Sequence, residues 1–363
     1  MSLSSTSIDR DIPLTQTAIV EDSNGIPTLV HDVPVPALRP GTILIKTAAV
    51  AINPCDYKMG AAFPSPGAVV GIDFAGHVVA VSPETTRSDI RVGDAVCGVV
   101  HGSNPGDHES GAFAEYILAQ AHLVLKVPPG LPLEQAATLG CALLTSCIAF
   151  WDALRIVPDP ENPATEPLPV LVYGGSTAAG TVAIQLLKLS GLNPIATCSP
   201  RNFDLVKSSG ASAVFDYSSV DVAQAIKTHT KGRLRHALDC IADQESTACC
   251  YASFGRPGGR YVSLEAIPAA WKTREAVKHE FIMCLEGMGK EVILGGEYGR
   301  AASEEKRNLA ARMFGVFQRL LDENKLKTHP VEVVGKCFED IQRGVTRLKS
   351  GSVSGSKLVV LLN

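Results

Sequence analysis

The chain has 363 residues, a formal net charge of −4, 45% hydrophobic and 19% charged residues. That length suggests about two domains with a large core, and the composition excludes a disordered chain. The charge balance leaves no basic footprint, so no nucleic-acid partner is expected.

Residues 1–11 are Ser-rich and polar, without the apolar stretch of a secretory signal. The first third then reads as all-β. Residues 42–52 form one apolar strand pattern, and 71–81 form a second with glycines where a barrel bends. A turn and strand follow at 91–98, and further strand patterns at 111–117 and 123–128. Past Pro132 the pattern turns helical, with few breakers over 133–154. Five prolines, at 158, 160, 163, 167 and 169, mark a loop or linker.

From 170 onward strands alternate with helices: 170–173 then 177–190, 194–198 then 202–208, 213–216 then 220–228, 235–240 then 245–253, and a strand at 259–264. Repeated βα units imply a parallel sheet with helices on both faces. A long helix is expected from 303 to about 323, a helix at 338–349 and a last strand at 357–361. This tail breaks the βα alternation and is expected to return to the first domain. The unbroken apolar runs are too short to span a bilayer, and 359–363 carries no lipidation motif, so no membrane partner is expected. The ten cysteines are scattered, mostly within apolar runs. They read as buried free thiols in a reducing compartment, and the expected location is cytoplasmic.

Val170-Leu171-Val172-Tyr173 runs into Gly174-Gly175-Ser176-Thr177-Ala178-Ala179-Gly180 and an apolar helix. A strand, a glycine turn and a helix start a dinucleotide-binding unit, because backbone N–H groups at a helix N-terminus attract a pyrophosphate. Gly174, Gly175 and Gly180 stand where a Cβ would block close approach, although the spacing is not a strict G-x-G-x-x-G. Ser176 and Thr177 are expected to add hydroxyl donors, and Ala178 and Ala179 to open the helix.

The second strand ends Thr197-Cys198-Ser199-Pro200-Arg201-Asn202, with no carboxylate before Asp204. A carboxylate there would repel a 2′-phosphate by roughly 3 kcal/mol per unit charge at ~5 Å and an effective dielectric of ~20. Ser199, Pro200, Arg201 and Asn202 offer a cation and donors instead, with Lys207 about one turn further on. The expected cofactor is therefore NADPH; a solvated surface loop is the alternative reading of this segment.

A β-rich region, a nucleotide fold and a returning tail, with the landmarks Asn53-Pro54-Cys55-Asp56, Gly71-Ile72-Asp73-Phe74-Ala75-Gly76, Val92-Gly93-Asp94 and Gly111-Ala112-Phe113-Ala114-Glu115-Tyr116, resemble the medium-chain dehydrogenase/reductase superfamily. That resemblance implies an α/β chain: a GroES-like β-rich catalytic domain over 1–164, a Rossmann doubly wound parallel-sheet domain over 165–311, and a segment 312–363 returning to the first. The zinc-dependent branch holds its metal with a Cys and a Gly-His-Glu motif. Gly71-Ile72-Asp73 stands in place of the latter, so Cys55 lacks its histidine partner and no three-ligand site is expected. Residues 98–111, where a structural zinc lobe would lie, contain no Cys, and His101 and His108 there read as solvated.

Segments including Val172-Tyr173-Gly174-Gly175-Ser176-Thr177-Ala178, Pro194-Ile195-Ala196-Thr197-Cys198-Ser199-Pro200, Val214-Phe215-Asp216-Tyr217, Ala237-Leu238-Asp239-Cys240-Ile241 and Tyr261-Val262-Ser263-Leu264 are similar to the stand-alone, trans-acting enoyl reductases of fungal polyketide pathways. The resemblance implies hydride transfer from NADPH to the β-carbon of an α,β-unsaturated polyketide thioester. The thioester would be held on the acyl carrier of a partner iterative, highly reducing polyketide synthase, and close relatives suggest a monomer. A free-standing quinone or enone reductase and a non-catalytic NADPH-binding scaffold are the competing readings.

The same resemblance places Cys55, Asp56, Tyr57 and Lys58 near the nicotinamide end of the cofactor. Lys58 would hold the ribose or stabilise the developing enolate. Thr145, in the run Gly140-Cys141-Ala142-Leu143-Leu144-Thr145-Ser146-Cys147, would contact nicotinamide or substrate, a helix back-bond being the alternative. Tyr217 would touch the adenosine side. Leu264 and Glu265 end the fifth strand at the sheet's carboxyl edge, where ligands bind; Glu265 departs from the amide favoured there and cannot donate as an amide does. Cys284, Leu285, Glu286, Gly287 and Met288 fall where the acyl pocket is lined, and Val353 and Ser354 where the tail closes over the cofactor. The proton donor is left open between water and Lys58.

Overall fold

The computed structural model describes residues 12–362, so the expectation for residues 1–11 lies outside the described residues. The chain opens with β1 (Thr15–Glu21) and β2 (Pro27–Pro34), an antiparallel hairpin, then β3 (Thr42–Ala51), α1 (Cys55–Ala62), β4 (Asp73–Val81), β5 (Ala95–Val99), β6 (Tyr116–Gln120) and β7 (Val124–Lys126). The helical stretch expected over 133–154 is broken into α2 (Leu133–Ala136) and α3 (Gly140–Cys147), the latter relaxing into a wider π-type turn, Ile148–Ala153.

The alternating part is β8 (Pro169–Tyr173), α4 (Ala178–Leu189), β9 (Asn193–Cys198), α5 (Phe203–Ser208), β10 (Ala213–Asp216), α6 (Val222–His229), β11 (His236–Asp239), α7 (Gln244–Ser253), β12 (Gly259–Ser263) and β13 (Val277–Phe281). Then come α8 (Glu304–Asp322), β14 (Val331–Gly335), α9 (Phe338–Lys349) and β15 (Lys357–Leu361).

These elements form two compact units. One comprises the described residues through Cys141, with Val292–Gly295 and those from Pro330 on; the other is Ala142–Glu291 with Gly296–His329. The division falls inside α3 and after α8, whereas the sequence pattern puts the boundaries at 164/165 and 311/312.

The first unit holds a seven-stranded sheet in the order β14-β15-β3-β4-β5-β7, with β6 on β3. Its centre is β3, buried along almost its whole length, with only Lys46 exposed. The tail strand β15 pairs antiparallel with β3, setting Val359 against Ala51. Phe74, Phe113, Ile43, Ile45 and Ile117 fill the core beneath it.

In the second unit all six strands run parallel, in the order β10-β9-β8-β11-β12-β13. The sixth strand, β13, extends the sheet beyond the five read from the sequence. The five residues of β8 are all buried, as a central parallel strand covered on both faces requires. Strand order reverses between β8 and β11, so their carboxyl ends flank the switch point where such sheets bind ligands.

Two expectations need correction. The helical stretch Leu133–Ala153 is long and apolar enough to cross a membrane by length and composition, because helical span rather than an unbroken apolar run sets that measure; 83% of its apolar window is buried inside the fold. His101 is buried, not solvated, because its loop folds inward beside Gly71, while His108 is exposed with its Nε2 3.2 Å from Ser65 Oγ. All ten cysteines are free thiols: five are buried, and Cys337 is exposed.

Candidate active site

The turn after β8 is built by close packing. A Cβ on Gly180 would lie 2.4 Å from the Gly174 carbonyl oxygen, so only glycine lets α4 start this near the strand end. Thr177 caps the helix. Its hydroxyl accepts from the Gly180 N–H at 2.9 Å and donates to the Gly174 carbonyl at 2.8 Å. The Thr177 hydroxyl proton is therefore engaged within the turn. Ser176, Ala178 and Ala179 stay half-buried around the helix start, an arrangement that fits an anionic pyrophosphate.

At the end of β9, the Asn202 side-chain amide donates to Ser199 Oγ at 3.2 Å, within a short helical turn, Pro200–Asn202. Pro200 and Arg201 are exposed, and Lys207 rests over the Phe203 ring at 5.7 Å. Tyr217, just past β10, is 49% exposed, on the rim rather than in the core. At the switch point, buried Asp239 accepts from the backbone of Ile241 and Ala242 and from the Ser246 and Tyr261 hydroxyls, fixing the loop after β11.

Beyond β12, Leu264 and Glu265 are half-buried. The Glu265 carboxylate accepts from the Tyr298 hydroxyl, a partner that no sequence motif signals, and its carbonyl accepts from Ser263 Oγ at 2.7 Å. Burial and the bond to Glu265 push the Tyr298 phenol up to about 12. Ser263 Oγ also lies 2.8 Å from His279 Nε2, and burial pushes that imidazole down to about 4.

In the first unit, the Asn53-Pro54 turn starts α1. Asp56 is buried, Cys55 and Tyr57 are half-buried, and Lys58 is exposed. Asp56 Oδ2 accepts the Asn53 backbone N–H at 2.7 Å. Burial pushes its carboxyl up to about 8, against the Asn53 N–H and the Lys357 charge. Burial also drives the Cys55 thiol well up, with Asp56 adding to the effect.

Behind this turn lies a cluster that the sequence reading missed. Lys357 Nζ donates to Asp73 Oδ2 and to Asn53 Oδ1, each at 2.6 Å, and Asn53 Nδ2 donates to Asp73 Oδ2 at 2.9 Å. Burial opposes the Lys357 charge, but Asp73 and its neighbours hold the ammonium above its ordinary range. The available signal was a lysine opening the apolar strand Lys357-Leu358-Val359-Val360-Leu361. Among the described residues no three His, Cys, Asp or Glu side chains come together to hold a metal.

Along α3, Leu143, Leu144, Ser146 and Cys147 are fully buried. Ser146 back-bonds to the Ala142 carbonyl at 2.8 Å. Cys141 is half-buried, Gly140 and Ala142 are buried, and Thr145 is buried on the same helix.

Leu144 meets Gly287, where a Cβ would lie 2.4 Å from Leu144 Cδ1. Of the segment Cys284–Met288, Leu285, Glu286, Gly287 and Met288 are buried and Cys284 half-buried. The Glu286 carboxylate is paired with Lys306 and with Arg300 Nε at 3.2 Å. In the tail, Val353 packs on the first core and Ser354 is exposed.

A β-rich unit and a doubly wound parallel unit carrying a glycine turn define an oxidoreductase of the alcohol dehydrogenase type, a class that uses a nicotinamide cofactor. Residues 39–129 match the alcohol dehydrogenase GroES-like domain and 178–283 the zinc-binding dehydrogenase domain. Solved structures agree on the fold. An alcohol dehydrogenase superfamily protein from Novosphingobium aromaticivorans superposes with a TM-score of 0.76 at 23% identity, covering 96% of this chain and 100% of its own. The CurK enoyl reductase gives 0.70 at 19%, covering 96% and 100%. Much nearer in sequence are the trans-enoyl reductase TwmE of Talaromyces wortmannii, 49% identical over 94% of this chain and 96% of its own, and poxP of Penicillium oxalicum, 47% identical over 97% and 94%. The chain belongs to the trans-enoyl reductase family.

Proposed function

We propose that the protein is a zinc-free, NADPH-dependent enoyl reductase acting in trans on an α,β-unsaturated polyketide thioester carried by a partner iterative, highly reducing synthase. The observation that carries the reading is near-full-length identity of 47–49% to trans-enoyl reductases, joined to a capped helix start that fits a pyrophosphate. NADPH, when bound, supplies the hydride.

The chain's own residues bind and orient. The start of α4 at Ser176, Ala178 and Ala179 receives the pyrophosphate. The exposed Arg201, with Ser199 and Asn202, meets the 2′-phosphate, where no carboxylate opposes it. Glu265, aligned by Tyr298, offers an acceptor at the carboxyl edge of the sheet. Lys58 and Thr145 supply the donors that stabilise charge developing on the thioester oxygen. Zinc has no place in this scheme: Cys55 and Asp73 share their surroundings with the Lys357 ammonium, which repels a dication.

The test is reduction of an enoyl-pantetheine thioester and of a free quinone, each with NADPH and NADH, followed by reconstitution with the partner synthase. Preferred turnover of the thioester with NADPH, and a more reduced synthase product in the presence of this protein, are expected. Turnover of the quinone alone identifies a free-standing quinone reductase, and cofactor binding without oxidation identifies a scaffold.

A further inference from the structure

A buried lysine on a strand paired on both sides is expensive. Taking an ammonium and a carboxylate out of water costs several kcal/mol each, and a well-packed apolar pair of the same size is often as stable or more so. Yet Lys357 and Asp73 keep only 4% and 0% of their side-chain surface exposed. Stability alone therefore does not account for the pair; the atoms around it do.

Each acceptor of the pair ties down a different piece of the first unit. Asp73 Oδ1 accepts the backbone N–H of Cys141 at 2.6 Å, at the start of α3. That helix start is also wedged against β5: a Cβ on Gly140 would lie 2.1 Å from the Gly98 carbonyl oxygen. Asp73 Oδ2 accepts from Asn53 and Lys357, and Lys357 bridges back to Asn53 Oδ1. The Asn53 backbone N–H then holds the Asp56 carboxyl in the first turn of α1. One buried ammonium, delivered from the last strand, completes the link between the turn preceding Lys58 and the carboxylate that accepts from Cys141.

We infer that Lys357 is a positioning residue for the reduction: bridging Asp73 to Asn53, it fixes the turn that aims Lys58. The inference rests on the proposed role of Lys58. It assigns no contact between Lys357 and substrate. A misplacement of donors by about 1 Å is enough to cost about 100-fold in rate.

The test uses Lys357→Met, Asp73→Asn and the double variant, which removes both buried charges and so guards against simple unfolding. Wild type and variants are compared for kcat on the enoyl-pantetheine thioester, NADPH Kd, thermal midpoint, and amide exchange of the 53–62 and 140–147 peptides. In the double variant the thermal midpoint is expected to return toward wild type. Its kcat stays about 100-fold down, while NADPH Kd moves by less than about threefold. Exchange in 53–62 rises about tenfold; 140–147 changes less, because the amide oxygen that Asp73→Asn leaves in place still accepts from Cys141.

Recovery of kcat together with the thermal midpoint, or unchanged exchange in 53–62, overturns the inference. So does kcat falling only in step with the thermal midpoint and NADPH Kd, and so does failure of every variant to fold, because the cluster then serves the fold alone. Absence of turnover by wild type instead sinks the proposed function, and exchange in 53–62 then decides the inference by itself.

Discussion

Each unit buries a carboxylate among cations, but to different depths. In the first, both partners are sealed: side-chain exposure is 0% for Asp73 and 4% for Lys357. In the second, Glu286 is equally sealed at 4%, whereas Arg300 and Lys306 keep 21% and 22% of their side-chain surface in water. Lys306 also reaches Asp152 at 3.0 Å, so the Glu286 network fastens the Cys284–Met288 turn to α8 and to the π-type turn after α3. Hydrated cations lose little when their anion is removed; a sealed ammonium has nowhere to turn. The depth of the cation, more than that of the carboxylate, separates a clamp from a lock.

Lys357→Met strains that contrast hardest. It leaves Asp73 buried without its cation, and removing one partner of a buried pair costs about 3–5 kcal/mol. A urea titration that shows a loss of less than about 1 kcal/mol would place the first cluster in the same class as an exposed pair. Glu286→Gln is the matching change in the second unit. The amide keeps the shape, and the half-hydrated cations discount the loss to about 1–3 kcal/mol. Added salt should narrow this gap to wild type and leave the Lys357→Met gap nearly unchanged, because a sealed pair is screened much less.

Asp56 sharpens the comparison through pH. Its carboxyl is pushed from an ordinary 3.8 up to about 8 in the folded protein, chiefly by burial. The group stays protonated when folded and ionises when unfolded. Its contribution to stability is therefore complete below the unfolded value. It declines as pH rises from there toward 8 and changes no further beyond, with a slope of up to about 1.4 kcal/mol per pH unit. Asp56→Asn, which mimics the protonated form, should lack that slope, so the difference between wild type and variant should carry it. Urea midpoints taken from pH 4.5 to 9 check it; parallel curves for the two proteins would mean that Asp56 is not the titrating group.

The legible and illegible parts of this chain differ for a physical reason. The parallel sheet was legible because each βα unit repeats a local apolar rhythm, and strands such as Pro169–Tyr173 carry it without a polar break. The sixth strand was not, because Val277-Lys278-His279-Glu280-Phe281 alternates too weakly to read as buried. The hairpin of β1 and β2 was missed likewise, since Pro27–Pro34 is half-exposed along its length. Within the candidate site, Ser176, Arg201 and Glu265 lie on motifs read in one pass, but Tyr298 joins Glu265 from 33 positions away and Lys357 joins Asp73 from 284. No local pattern announces such partners. The lysine at the head of an apolar strand was the one residue out of place.

The smallest expected effect separates binding from positioning most cleanly. Arg201 is exposed, outside any buried network, on the short turn that follows β9. Reversing its charge in Arg201→Asp would set a carboxylate beside the 2′-phosphate. In a dry site the repulsion would approach 3 kcal/mol, as estimated for ~5 Å and a dielectric of ~20, but counter-ions at an exposed turn screen most of it. A shift of about tenfold in the NADPH-to-NADH preference, roughly 1.4 kcal/mol, is therefore expected. Lys207, held on the Phe203 ring, stays in place and limits the change. Thermal stability should not move, in contrast to Lys357→Met, and turnover with saturating NADPH should recover. An unchanged cofactor preference would remove Arg201 from the site. A change in kcat at saturation would mean that this turn, too, positions the reacting groups.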